Sequence, residues 1–178
     1  MTSKESKRPS LLRPEVFIAT VGGAGFFPKA PGTAGALVTA IAVFLFGTPL
    51  ALTLALVLVM AIGTWAAGRY MELEGAHDPG EIVIDEVAGV LVAFETIMLL
   101  GYFFGMPLLV PNTLIYVLGI FLLFRLFDIA KPWPVGPIDE KVDGALGVML
   151  DDVVAGIMAG VAWMLIYYIW VVATVQAF

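Results

Sequence analysis

Apolar residues fill five long stretches of the chain, separated by short polar segments or by segments rich in glycine and proline. A helix that crosses a bilayer needs about 20 predominantly apolar residues. We therefore predict five spans, near residues 34–46, 50–68, 82–104, 113–127 and 153–175. Gly47, Thr48 and Pro49 separate the first two stretches and predict a helical hairpin. The first stretch is short, so its helix either begins nearer Pro31 or does not cross fully.

The pattern predicts an all-α fold, a polytopic membrane helix bundle in one domain over residues 1–178. Residues 1–13 are polar and basic, and we expect them to form a flexible tail. The composition agrees with a membrane protein, because 61% of the residues are hydrophobic and only 13% are charged, whereas a soluble domain carries roughly 25% charged residues. We see no removable signal peptide in the first thirty residues.

The basic residues predict the orientation of the bundle. With five spans, all nine would lie on one side of the membrane, and the connections near residues 47–49 and 105–112 carry no charge. The positive-inside rule then places the amino terminus and the charged loops in the cytoplasm. The nine residues are Lys4, Lys7, Arg8, Arg13, Lys29, Arg69, Arg125, Lys131 and Lys141.

The residue inventory restricts the available chemistry. The chain has no cysteine and a single histidine, His77, which excludes thiolate nucleophiles, thiolate metal sites and histidine-rich metal sites. A bound metal would therefore be a hard cation such as Mg2+, with Mn2+ as a substitute, because the available ligands are carboxylates and carbonyls.

A segment rich in glycine and proline, GGAGFFPKAPGTAG at residues 22–35, leads into the first span and contains Lys29 and Thr33. Free N–H groups at the start of a helix attract anions such as phosphate. The same composition is also typical of an ordinary turn and helix cap. Taken alone, the segment leaves both interpretations open.

Acidic residues occur at three predicted cytoplasmic helix ends. EIVIDEVAGV at residues 81–90 contains Asp85 and Glu86, and LDDVVAGIMAG at residues 150–160 contains Asp151 and Asp152. Acids at the start of a helix can simply complement its dipole. However, charged groups in or at the edge of a membrane are costly and usually functional, and three such ends are predicted to lie on one face.

The third of these ends is FRLFDIAKPWP, residues 124–134, in which Arg125, Asp128 and Lys131 follow at intervals of three. One interpretation is a salt-bridged helix end whose long side chains reach toward the interface. The alternative is a metal-binding acid between two phosphate-binding cations. The sequence of this segment alone does not decide between them.

Together these blocks resemble the phosphatidylglycerophosphatase A family. The resemblance rests on GGAGFFPKAPGTAG, DPGEIVIDEVAGV and FRLFDIAKPWPVGPIDEKVDGALGVMLDDVVAGIMAG, in the family's order and covering about two fifths of the chain. It implies a helical enzyme of the bacterial inner membrane that hydrolyses phosphatidylglycerophosphate to phosphatidylglycerol and phosphate with Mg2+. Such an enzyme serves phosphatidylglycerol and cardiolipin biosynthesis, and its active site would face the cytoplasm.

The resemblance also implies roles for individual residues. The motif acids fall on Asp85, Glu86, Asp128, Asp151 and Asp152, which are the expected metal ligands, and all but Glu86 are also expected to be catalytic, together with Lys131. Substrate binding is expected from Lys29, Thr33, Arg125 and Lys131. The expected partners are the lipid substrate and the bilayer, without nucleic acid, and the oligomeric state stays open.

Two other functions compete with this one. A CDP-alcohol phosphatidyltransferase also uses acids at cytoplasmic helix ends with a divalent metal, and VDGALGVMLDD at residues 142–152 partly resembles its motif, although the spacing of the aspartates differs. A cation transporter would place its acids near the middle of the membrane, and of the acids considered only Glu95 is expected to lie deep.

Overall fold

A computed structural model describes residues 9–77, 79–105 and 113–176, with side chains described to residue 174. Its described residues form helices and connecting turns and contain no strand, which confirms the all-α prediction. The helices are α1 Pro14–Ala19, α2 Pro31–Phe46, α3 Pro49–Leu58, α4 Thr64–Glu74, α5 Ile84–Phe103, α6 Leu114–Ala130, α7 Val135–Lys141 and α8 Gly144–Gln176, with a 3-10 turn at Ala24–Phe26 and a π-helical segment at Val59–Gly63.

Three helical segments are long and apolar enough to cross a membrane, namely Pro49–Glu74, Ile84–Phe103 and Gly144–Thr174. The first joins α3, the π-helical segment and α4 without a break. Helix α2 is also apolar but shorter, and it begins at Pro31. The helices therefore indicate a membrane protein, while the count of five spans stays a prediction.

The prediction was wrong about where the last helix begins. Helix α8 starts at Gly144, nine residues before the expected start of the span at residue 153. Hydropathy located the part of this helix after residue 153 but not the apolar turns at residues 144–150, because Asp151 and Asp152 interrupt the apolar run. Both aspartates consequently lie beyond the first turn of α8, where the helix dipole has little effect.

Two short helices, α1 and α7, were not predicted. Helix α1 begins one residue after the predicted flexible tail and buries Val16 and Ala19. Residues 1–8 of that tail lie outside the described residues. Helix α7 lies between α6 and α8, in a segment that the sequence analysis treated as a connecting loop.

Glycines bring α5 and α8 together. A Cβ atom on Gly156 would collide with the carbonyl oxygen of Gly89, and one on Gly160 would lie 2.7 Å from the carbonyl oxygen of Ala93. Small residues at such positions let two helix backbones approach closely. Gly156 and Gly160 therefore form a small-residue face on α8 that fixes how this helix lies against α5.

Candidate active site

Three carboxyl groups meet where α5 packs against α8. Oxygen atoms of Asp85, Glu86 and Asp152 lie within 4.8 Å of one another. Asp85 and Glu86 occupy the first turn of α5, whereas Asp152 is only 3% exposed on α8. A Cβ atom on Gly89 would lie 2.8 Å from the Asp152 carbonyl oxygen, so the close packing of the two helices is what assembles this three-acid cluster.

Helix α6 adds a cation and a fourth acid to one side of the cluster. The guanidinium of Arg125 pairs with Asp128, and its Nη1 atom lies 3.7 Å from Glu86 Oε1. Asp128 also lies beside Asp152. The i, i+3 spacing of Arg125 and Asp128 places both side chains on the face of α6 that meets the acids.

Lys131 lies between Asp151 and a residue that the sequence analysis did not select, Asp139 of α7. Its Nζ atom is 2.5 Å from Asp139 Oδ1 and 3.2 Å from Asp151 Oδ2. Burial lowers the pKa of Lys131, but the hydrogen bonds and charges of the two carboxylates outweigh burial and raise the pKa above its ordinary value. The lysine is therefore a cation throughout the physiological pH range.

The amino end of α2 closes the site from another side. A Cβ atom on Gly32 would overlap Glu86 Oε1 and would lie 3.2 Å from Arg125 Nη1. Thr33 follows in the first turn of α2 and is half-buried. Lys29 lies nearby in the chain but is exposed, and it forms no ion pair with another described residue. The loop predicted to bind phosphate thus lies against the acids through Gly32, and its lysine is not fixed there.

Buried polar atoms in the site lack partners within the described part of the chain. They are Glu86 Oε2, Arg125 Nε and Asp151 Oδ1. A buried polar group without a hydrogen bond costs about 1–3 kcal/mol, and carboxylates this close repel one another. Both costs would fall if the acids shared a cation and the arginine met an anion, so the donor set fits a hard divalent metal beside a phosphate.

Sequence reasoning found most of the residues that the fold brings together, but it missed two. Asp139 follows Lys131 by eight residues, and only the turn between α6 and α7 makes them neighbours. Gly32 carries no functional group, and its role depends on the backbone of α2 approaching Glu86. An acid shortly after a lysine–proline turn was the available signal for Asp139.

Fold and site together define a helical membrane protein with a carboxylate-rich site flanked by two cations. Residues 17–167 match the family described as Phosphatidylglycerophosphatase A, and the chain belongs to this family. Membership makes the protein a phosphatase and decides against the transferase and transporter interpretations. The apolar helices and the bacterial relatives indicate an inner-membrane protein.

Three curated relatives cover most of the chain. A Bacteroides thetaiotaomicron protein, whose name proposes phosphatidylinositol-3-phosphatase activity, is 42% identical over 162 residues, 85% of this chain and 91% of its own length. The Phosphatidylglycerophosphatase A of Haemophilus influenzae is 34% identical, covering 91% of this chain and 94% of its own. That of Escherichia coli is 34% identical, covering 85% and 83%. No solved structure matches the chain significantly.

Replacing Gly32 by alanine should reduce phosphatase activity without unfolding the protein. The new methyl group would displace Glu86 and Arg125, and a displacement of about 1 Å in an active site can cost a hundredfold in rate. Turnover is measured beside the melting temperature of the purified protein. Gly80→Ala is the matched control, because nothing lies within 4 Å of a Cβ atom there. Equal activity of the two variants would contradict the contact between α2 and the acids.

Proposed function

We propose that this protein hydrolyses phosphatidylglycerophosphate to phosphatidylglycerol and inorganic phosphate, with Mg2+ as its cofactor. The observation that carries the proposal is the cluster of Asp85, Glu86 and Asp152, with Arg125 beside Glu86 and Lys131 beside the adjacent Asp151. Family membership supports the substrate, since two relatives carry the name of this activity. The reaction would serve phosphatidylglycerol and cardiolipin synthesis in the membrane.

The side chains suit the charge of the reacting group. A terminal phosphate carries about two negative charges near neutral pH, so it requires cations and shielding from the carboxylates. Arg125 and Lys131 supply fixed positive charge, and the N–H groups at the start of α2 offer further donors. Lys29 is exposed and free to reach a phosphate oxygen from the loop before α2.

The carboxylates supply the metal site. Asp85, Glu86 and Asp152 would hold Mg2+, with Asp128 next to them and Asp151 on the Lys131 side. When bound, the metal supplies Lewis acidity and lowers the pKa of a coordinated water. Hydrolysis breaks the bond between phosphorus and the glycerol oxygen, and one water molecule provides the hydroxyl for phosphorus and the proton for the departing alcohol.

An apolar groove next to the acids suits the lipid part of such a substrate. Helices α2, α3 and α5 enclose a groove of about 290 Å3, to which α5 contributes Val87 and Leu91. Val87 directly follows Glu86, and α2 runs from Gly32 at the site to the groove residues Thr39 and beyond. A phosphate at the acids would therefore leave an acyl chain within reach of an apolar surface.

A direct assay tests the reaction. Purified protein is given phosphatidylglycerophosphate in detergent micelles, and released phosphate is measured with Mg2+, with Mn2+ and after exhaustive treatment with EDTA. We expect turnover that chelation abolishes and either metal restores, because the site offers only oxygen ligands. Full turnover after removal of metal would reject the metal mechanism.

The same assay with phosphatidylinositol 3-phosphate tests the alternative substrate. That lipid is also a phosphate monoester, and the Bacteroides thetaiotaomicron relative is named for it. We expect phosphatidylglycerophosphate to have the higher kcat/KM. The reverse order would assign the chain to the other substrate while keeping the reaction type.

We further propose five spans with the active site facing the cytoplasm, because the nine basic residues would then share one side. The absence of native cysteine permits a clean test with Glu74→Cys and Thr48→Cys and an impermeant thiol reagent. Position 48 should be labelled in intact cells and position 74 only after lysis. The opposite result would reverse the orientation.

Replacing Asp152 and Asp151 singly by asparagine should give different defects. Asp152→Asn removes a charge from the three-acid cluster, so turnover should fall a hundredfold or more, about 2.7 kcal/mol of transition-state stabilisation, and half-maximal activity should need more Mg2+. Asp151→Asn removes a partner of Lys131, so we expect a smaller loss with an unchanged Mg2+ requirement. A raised requirement in Asp151→Asn would instead make Asp151 a metal ligand, and near-normal turnover of Asp152→Asn would exclude its role.

A further inference from the structure

The turn that follows α6 holds Lys131 in a conformation that costs energy. Lys131 has φ 42° and ψ 52°, in the left-handed region that residues other than glycine rarely adopt. The turn is tight, because a Cβ atom on Gly136 would lie 2.8 Å from the Lys131 carbonyl oxygen. Such backbone strain persists only where surrounding contacts enforce it. The contacts of the Lys131 side chain are among those that can do so.

Asp139 is one of two carboxylates that hold this side chain. It lies on α7, and its Oδ1 atom accepts a hydrogen bond of 2.5 Å from Lys131 Nζ. The same Nζ atom donates to Asp151 Oδ2 at 3.2 Å. A lysine ammonium has three N–H donors, so these two contacts leave one donor for a further acceptor beside Asp151.

We propose that Asp139 is a positioning residue that directs the third N–H of Lys131 at the phosphate group of the substrate. The inference rests on the proposed function, because it takes a phosphate as the acceptor. Lysine is a point charge on a flexible four-carbon stem, and it needs a second anchor to stay in one place. Asp151 alone would let the ammonium rotate about a single contact, whereas contacts with two carboxylates restrict its position.

The competing explanation is an ion pair that only stabilises the fold. Lys131 and Asp139 are each more than a third exposed, and pairs of that kind contribute little to stability. An ion pair that served only stability would change the melting temperature when broken and leave phosphate affinity as it was. Loss of a positioning residue would weaken phosphate affinity and leave the melting temperature nearly unchanged. This loss of affinity would occur only while Lys131 is present.

The test compares the unchanged protein with Asp139→Asn and Asp139→Glu. The control variant is Glu140→Gln, because Glu140 is the neighbouring acid on α7. Glu140 is exposed and forms no ion pair with another described residue. Affinity for inorganic phosphate is measured by calorimetry with Mg2+ present, beside the KM and kcat for the lipid and the melting temperature. We expect Asp139→Asn to weaken phosphate binding about tenfold and to raise KM more than it lowers kcat, Asp139→Glu to recover part of the loss, and Glu140→Gln to match the unchanged protein.

A double-mutant cycle with Lys131→Met decides whether Asp139 acts through the lysine. If it does, Asp139→Asn should have almost no further effect on phosphate affinity once Lys131 is gone, because residues that act through one contact are not additive. Additive losses, or a lower melting temperature with unchanged phosphate affinity and KM, would overturn the proposal. Phosphate binding without lipid hydrolysis would reject the proposed function alone, and lipid hydrolysis unaffected by Asp139→Asn would reject this inference alone.

Discussion

The close approach of α5 and α8 is the contact on which the site depends. Gly89 and Gly156 carry no side chain, and only for that reason can the two backbones meet and place Asp152 beside Asp85 and Glu86. A methyl group at either glycine would separate the helices and, with them, the carboxyl groups. Apolar packing in a membrane gains little from the hydrophobic effect, so close contact between small residues is the means by which this pair of helices can be held in register.

Placing acids together at that contact is costly unless cations compensate for it. Helix α6 supplies both cations, since Arg125 lies on its last turns and Lys131 ends it. The two cations contact different acids, because Arg125 meets Glu86 and Asp128 while Lys131 meets Asp151. Because α6 also packs against α8 through the buried core, including Phe124 and Ala155, the position of the charges follows from the position of the apolar residues around them.

The sequence allowed much of this to be predicted because the relevant signals are local. Long apolar runs identify membrane helices however these helices pack together. Clusters of Asp, Arg and Lys next to the runs indicate the position of the active site. The start of α8 was misplaced because hydropathy measures apolar character rather than helicity, and the helix continues through Asp151 and Asp152 to Gly144. Gly32 depends on a contact with the distant Glu86, which no local pattern records, whereas Asp139 lies eight residues after Lys131 and becomes its neighbour only through the turn before α7.

The adjacent residues Asp151 and Asp152 have identical side chains but different partners. Neighbouring residues on an α-helix with 3.6 residues per turn point about 100° apart, so Asp151 and Asp152 cannot face the same partner. Asp152 turns to α5 and joins Asp85 and Glu86, whereas Asp151 turns to Lys131 and, through it, to α7. One pair of identical side chains thereby serves two neighbourhoods, an acidic one suited to a cation and a mixed one in which a lysine is held. A single aspartate on α8 could complete either neighbourhood but not both, and this accounts for two successive acids in an otherwise apolar helix.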